Sequence, residues 1–116
     1  MSEFKVFQVE KPWGNFRQFT HNEITTVKIL SINPHTSLSL QYHNHRAEFW
    51  HVISGHPILT IGDKITITKP GDEFRIEKLE KHRLEAKDDA VQILEVAYDN
   101  FDEEDIVRIE DKYGRA

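Results

Sequence analysis

Two imidazoles and a carboxylate fall close together in the stretch Gln41-Tyr42-His43-Asn44-His45-Arg46-Ala47-Glu48. Neutral imidazole nitrogens and carboxylate oxygens bind divalent transition ions, and two histidines plus one carboxylate leave positions open for a substrate. A further histidine, His82, stands well downstream between two apolar stretches. His43, His45, Glu48 and His82 are therefore the expected ligands of a divalent ion (zinc, manganese, cobalt, nickel or iron). Gln41 is an outside candidate for a fifth ligand or a substrate contact. Arg46 and Arg83 each adjoin a proposed ligand, and guanidinium pairing suits the anchoring of a phosphate.

Strands must position these groups. From Ser37 to His43 the sequence alternates, with Leu38, Leu40 and Tyr42 on one phase and Ser39, Gln41 and His43 on the other. Side chains two apart share a face of an extended strand, so Gln41, His43 and His45 are expected to converge. A side chain next to a ligand points to the opposite face, so only irregular backbone would bring Arg46 or Arg83 inward; otherwise each should pair with the acidic tail. Phe49 to Ser54 reads as an apolar strand ending at Gly55. Ile24–Ile32, Ile58–Ile61, Ile65–Thr68, Phe74–Ile76 and Ala90–Ala97 are further short strands, punctuated by Asn33-Pro34, Gly62-Asp63, Lys69-Pro70-Gly71 and Lys87-Asp88-Asp89. Such spacing with hardly a helical period predicts a closed or sandwiched all-β domain. Trp13, held between Pro12 and Gly14, is expected to plug one end of it. In the tail, Asp102 or Asp105 is expected to cap a short turn, Gly114 to end one at Tyr113, and the acidic run Asp102 to Asp105 to form a solvated face.

The 116 residues predict a single domain over 1–116. A content of 38% hydrophobic and 30% charged residues is that of a soluble globular chain. No apolar run reaches membrane-spanning length and no basic-then-apolar leader opens the sequence, so a cytoplasmic location without membrane association is expected. Cysteine is absent, which excludes disulfides and thiolate ligands. The net charge of −5, with scattered basic residues, argues against a nucleic-acid partner.

The metal residues resemble the two motifs of the cupin superfamily. The first runs G-x5-H-x-H-x3-4-E-x6-G, and His43-x-His45, Glu48 and Gly55 fit it except that two residues separate His45 from Glu48. The second runs G-x5-P-x-G-x2-H-x3-N; Gly71 and His82 stand at its spacing, while Glu77, Leu79 and Ala86 hold its Pro, Gly and Asn positions. Within that superfamily, Lys11-Pro12-Trp13-Gly14, Ser37 to Gln41, His45-Arg46-Ala47-Glu48-x-Trp50, His82 to Glu85 and Glu104 to Arg115 resemble the type II mannose-6-phosphate isomerase domain. That domain usually follows a guanylyltransferase domain, which lies outside these residues, so nucleotide-sugar synthesis is not implied.

The resemblance implies a cupin jelly-roll barrel (a double-stranded β-helix) with a short C-terminal extension, a divalent metal, and interconversion of mannose 6-phosphate and fructose 6-phosphate through an enediolate. On that reading Glu48, His82 and Glu85 are the catalytic candidates, with Lys11 a second candidate base. Arg46, Arg83, Lys11 and Gln41 are the substrate contacts. Small cupin barrels usually pair through one sheet, so a homodimer is expected. The family commonly has His where this chain has Phe49. An iron-dependent cupin oxygenase and a non-catalytic metal- and sugar-binding cupin are the alternatives.

Overall fold

Turn residues divide the chain into strands, and the computed structural model describes residues 4–99 and 101–110. Every regular element among them is a strand: β1 Phe7–Lys11, β2 Gly14–Gln18, β3 Thr25–Ile32, β4 Leu40–Tyr42, β5 Glu48–Ser54, β6 Ile58–Ile61, β7 Lys64–Ile67, β8 Glu73–Ile76, β9 His82–Glu85, β10 Val91–Tyr98 and β11 Val107–Glu110. All pair antiparallel, in a hairpin β1-β2, a four-stranded sheet β3-β10-β5-β8 and a five-stranded sheet β11-β4-β9-β6-β7. No helix among the described residues is long and apolar enough to cross a membrane.

The larger sheets enclose one apolar cluster, in which Trp50, Val52, Leu59, Ile76, Leu84, Val91 and Ile93 are each no more than 2% exposed. Period-two alternation puts them there: Val91 and Ile93 of β10 and Leu84 of β9 occupy the inward phase of their strands. Burying side chains of this size stabilises by about 1.5–3 kcal/mol each. A second cluster, Phe4, Phe49, Val96 and Tyr98 with Phe19 packed against it, covers the outer face of the four-stranded sheet. Gly55 closes the turn after β5 at φ +83°, where a Cβ would lie 2.3 Å from the Ala90 carbonyl oxygen. Only glycine fits there.

Trp13 departs from expectation. Lys11 pairs with Gly14, so Pro12 and Trp13 form the tip of the β1-β2 hairpin, and Trp13 is 73% exposed. The constrained backbone makes a tight turn at the hairpin tip. In the tail, the Asp102 Oδ1 accepts the Glu104 N–H at 2.9 Å, as a turn cap should. The expected turn at Tyr113 and Gly114 lies outside the described residues.

Candidate metal centre

β4 carries the chain inward as far as Tyr42, and there the extended geometry ends. The carboxylate of Asp105 accepts the backbone N–H groups of both Asn44 and His45, each at 2.9 Å, and this bends the segment into a loop. His43 stays inside at 3% exposure, His45 turns out to the surface, and Arg46 turns back in at 6%. Glu48 then opens β5 fully buried, with its Oε1 accepting the Trp50 Nε1–H at 3.2 Å. His82 opens β9 at 0% exposure, and its backbone partner on β4 is Gln41.

These placements bring His43, Glu48 and His82 together, with one ligand atom from each within 4.8 Å of the others. The His43 Nε2 lies 3.4 Å from the Glu48 Oε2, and the His82 Nε2 lies 3.9 Å from the Glu48 Oε1. Each ring is fixed from behind. The His43 Nδ1–H donates to the Asp105 carbonyl at 2.7 Å, and the His82 Nδ1–H donates to the Glu80 carbonyl at 2.9 Å. A carbonyl can only accept, so both rings carry their proton on Nδ1 and present Nε2 as a bare lone pair. Burial pushes both imidazoles below their ordinary pKa, which keeps them neutral at neutral pH.

The His82 Nε2 is buried with no hydrogen-bond partner. An orphaned buried polar atom costs about 1–3 kcal/mol, which a bound cation would offset. Two neutral imidazoles, a carboxylate and an orphaned lone pair fit a divalent transition ion. One cation already contacts the same atoms. The Arg46 Nε–H donates to the Glu48 Oε2 at 2.9 Å, and its Nη2 lies 3.4 Å from the His43 Nε2. Arg46 also donates to the Asp102 carbonyl at 2.9 Å and stacks on the Phe101 ring at 4.4 Å. Asp102, Glu103 and Glu104 are exposed, as the solvated face expected of the run, while Asp105 is half-buried and the backbone carbonyls of Asp102 and Asp105 reach the site.

The structure does not bring His45 into the cluster, because Asp105 holds its backbone away from the strand path that would have aimed it inward. The spacing can be met another way: Gln41-x-His43-x4-Glu48-x6-Gly55 has the spacing of the first cupin motif from its first His position onward, with Gln41 in place of that His and His35 in place of the leading Gly. Gln41 shares the inner face with His82 through their direct pairing. Arg83 and Glu85 alternate with His82 and Leu84 and so face outward. Arg83 pairs there with Glu110 at 2.7 Å, the tail salt bridge that its strand position predicted, and neither it nor Glu85 joins the cluster. Lys11 is exposed at the end of the β1-β2 hairpin, which shares no backbone ladder with the sheets bearing the cluster and is tied to them by the Arg17–Glu73 pair. Phe49 packs edge-on against Phe4 on the outer face, away from Glu48 and Trp50.

Sequence reasoning missed Asp105 and Glu95 as parts of the site. Glu95 sits opposite Trp50, and burial together with the Glu48 charge pushes its carboxyl up to about 8. Its signal was visible: Glu95 interrupts the inward apolar phase Val91, Ile93, Ala97.

Residues 2–111 match the family model described as mannose-6-phosphate isomerase C-terminal. The chain belongs to that family. Its relatives include the xanthan biosynthesis protein XanB of Xanthomonas campestris pv. campestris (strain B100), 36% identical over 110 residues. Another is the mannose-1-phosphate guanylyltransferase ManC of Salmonella typhimurium, 33% identical over 112 residues. Each alignment covers 93% of this chain but only 24% and 23% of the relative, so this chain spans about a quarter of their length. In fold, the family member is a cupin. A Bacillus subtilis oxalate decarboxylase superposes with a TM-score of 0.69 at 22% identity, over 76% of this chain and 25% of that one. A Rhodospirillum rubrum cupin-2 domain superposes with a TM-score of 0.64 at 16% identity, over 86% and 72%.

Proposed function

We propose that this chain is a metal-dependent sugar-phosphate isomerase that interconverts mannose 6-phosphate and fructose 6-phosphate. The observation that carries the reading is the convergence of two imidazoles, each anchored through Nδ1, on a buried carboxylate in a member of the isomerase family. His43, Glu48 and His82 would hold the ion, with Gln41 beside them. A divalent ion bound there supplies Lewis acidity toward the sugar oxygens on C1 and C2.

The chain's own groups account for the rest. Trp50 orients Glu48 through its indole N–H. Arg46 adds a buried positive charge where negative charge develops on the sugar oxygens. Isomerisation moves a proton between C2 and C1, and Glu95, buried on the inward phase of β10 opposite Trp50, is the carboxyl placed to carry it beside the ligand set. In its ionised form Glu95 would take the proton and return it to the neighbouring carbon. Glu85, on the outer face, cannot reach from its strand position. Phe49 also faces outward, so the exchange of the family's His for Phe bears on packing of the outer cluster rather than on the cluster of ligands. The reading includes a single domain over residues 1–116, a cytoplasmic location and a homodimer.

A coupled assay for fructose 6-phosphate formed from mannose 6-phosphate tests it. Turnover is expected to vanish on chelation and to return with manganese, cobalt, nickel, zinc or iron. Chelator-stripped protein working at the untreated rate would sink the metal-dependent mechanism, and substrate-dependent oxygen uptake would favour an oxygenase instead.

A further inference from the structure

The arginines among the described residues divide sharply by partner. Arg17 bonds Glu73, Arg46 bonds Glu48, Arg75 donates to the Phe4 carbonyl and Arg83 bonds Glu110. Arg108 alone among the described arginines has no side-chain acceptor among the described residues, and its Nε, like that of Arg83, is buried without a partner. A guanidinium keeps its charge at any physiological pH, and a buried N–H without an acceptor is costly. Its place in the fold says what would satisfy it.

Arg108 of β11 pairs with Gln41 of β4, and Gln41 pairs with His82 of β9. Directly opposed residues of antiparallel strands share a face, so Arg108, Gln41 and His82 form one row on the inner face of the five-stranded sheet. Glu110, beyond the irregularity that follows Arg108, pairs with Leu40 and faces outward, where Arg83 takes it. The same strand thus sends its carboxylate out and its guanidinium in. Two strand spacings separate Arg108 from His82, about 10 Å between backbones. Between them, the Ser39 hydroxyl donates to the Gln41 Oε1 at 2.8 Å, and the amide N–H₂ of Gln41 is a donor with no acceptor among the described residues.

We infer that Arg108, assisted by Gln41, is the subsite for the phosphoryl group of the substrate, a phosphate monoester held by guanidinium and amide donors while the sugar carbons lie toward His82. The assignment rests on the isomerase reading for the sugar, but the anion subsite is testable without turnover. It replaces Arg83, which faces the wrong side of β9.

Isothermal titration of metal-loaded protein with inorganic phosphate tests the subsite directly. Arg108→Ala should weaken binding by about ten-fold or more, whereas the outer-face control Arg83→Ala should stay within about two-fold. In the isomerase assay Arg108→Ala should raise KM for mannose 6-phosphate with a smaller change in kcat. Unchanged phosphate affinity in Arg108→Ala, or no phosphate binding by the unaltered protein, overturns the subsite. If phosphate and mannose 6-phosphate bind in an Arg108-dependent way without turnover, the subsite stands and the isomerase reading fails. If Arg108→Ala turns the sugar over with an unaltered KM, the isomerase reading stands and the subsite fails. Should Arg108→Ala lose its folded circular dichroism spectrum, Arg108→Lys carries the test: it keeps the charge, loses the planar fork, and should still cost about three-fold or more in affinity. Full affinity in that variant would also overturn the subsite.

Discussion

At the scale of single residues, the ligand set divides His43 and His82 from His45. Both inward rings donate Nδ1–H to a backbone carbonyl and turn Nε2 toward Glu48, whereas His45 is exposed and contributes its backbone N–H to Asp105. Replacing His82 by Ala should therefore lower affinity for zinc or manganese by about 100-fold or more, since loss even of an outer-shell partner commonly costs 10–100-fold. His45→Ala should change it by no more than about two-fold. Calorimetric titration of the apo-protein measures both. Equal losses in the two variants would mean that the loop rearranges on loading and that His45 becomes a ligand. The period-two pattern made Gln41 and His43 legible in the sequence, but the same pattern misplaced His45. Nothing local announces that a carboxylate 60 residues away, Asp105, will seize two amides and end the strand.

Elements hold the site by turn chemistry as much as by pairing. The loop between β8 and β9 must return the chain to His82, and there Leu79 adopts φ +67° while its N–H donates to the His43 carbonyl at 2.8 Å. Its position is the one where the cupin motif carries Gly, and the left-handed backbone gives the physical reason for that preference. That region costs an L-residue with a side chain about 1–2 kcal/mol, against about 0.5–1 kcal/mol of lost chain freedom for Gly. Leu79 is 61% exposed, so its side chain contributes little burial. Leu79→Gly should accordingly stabilise the protein by about 0.5–1 kcal/mol, seen as a higher urea midpoint. A lower midpoint would show that the leucine side chain contributes more than its exposure suggests. The strand register of Arg83 and Arg108 was less legible. Two arginines equally rich in chemistry face opposite sides, and only the pairing of β11 with β4 and β9 decides which one looks inward.

For the whole molecule, the sheet edges determine what remains uncovered. Alternating β-branched strands and turn residues were enough to read an all-β domain from the sequence, and the metal motifs made it a cupin. Which outer faces stay bare depends on long-range pairing that no local pattern encodes. β3 is an edge of the four-stranded sheet, eight residues long, and its outward phase leaves Val27 and Ile29 56% and 60% exposed. Ile53 of β5, 40% exposed, continues the same apolar face. The N-terminal residues Phe4 and Val6, with Phe19, cover the neighbouring part of that face and stop short of β3's exposed pair. A long edge strand with exposed β-branched residues and one lysine, Lys28, between them is an aggregation hazard unless something covers it. A second copy related by a two-fold axis would bring the same patch against itself, giving a closed dimer. Light scattering should return twice the 13.7 kDa chain mass, and the double substitution Val27→Lys with Ile29→Lys should return a monomer through repulsion of like charges across the axis. A monomeric mass for the unaltered chain at working concentration rules the dimer out. A dimer that survives the double substitution moves the interface to another surface, such as the exposed Ile65 and Ile67 of edge strand β7.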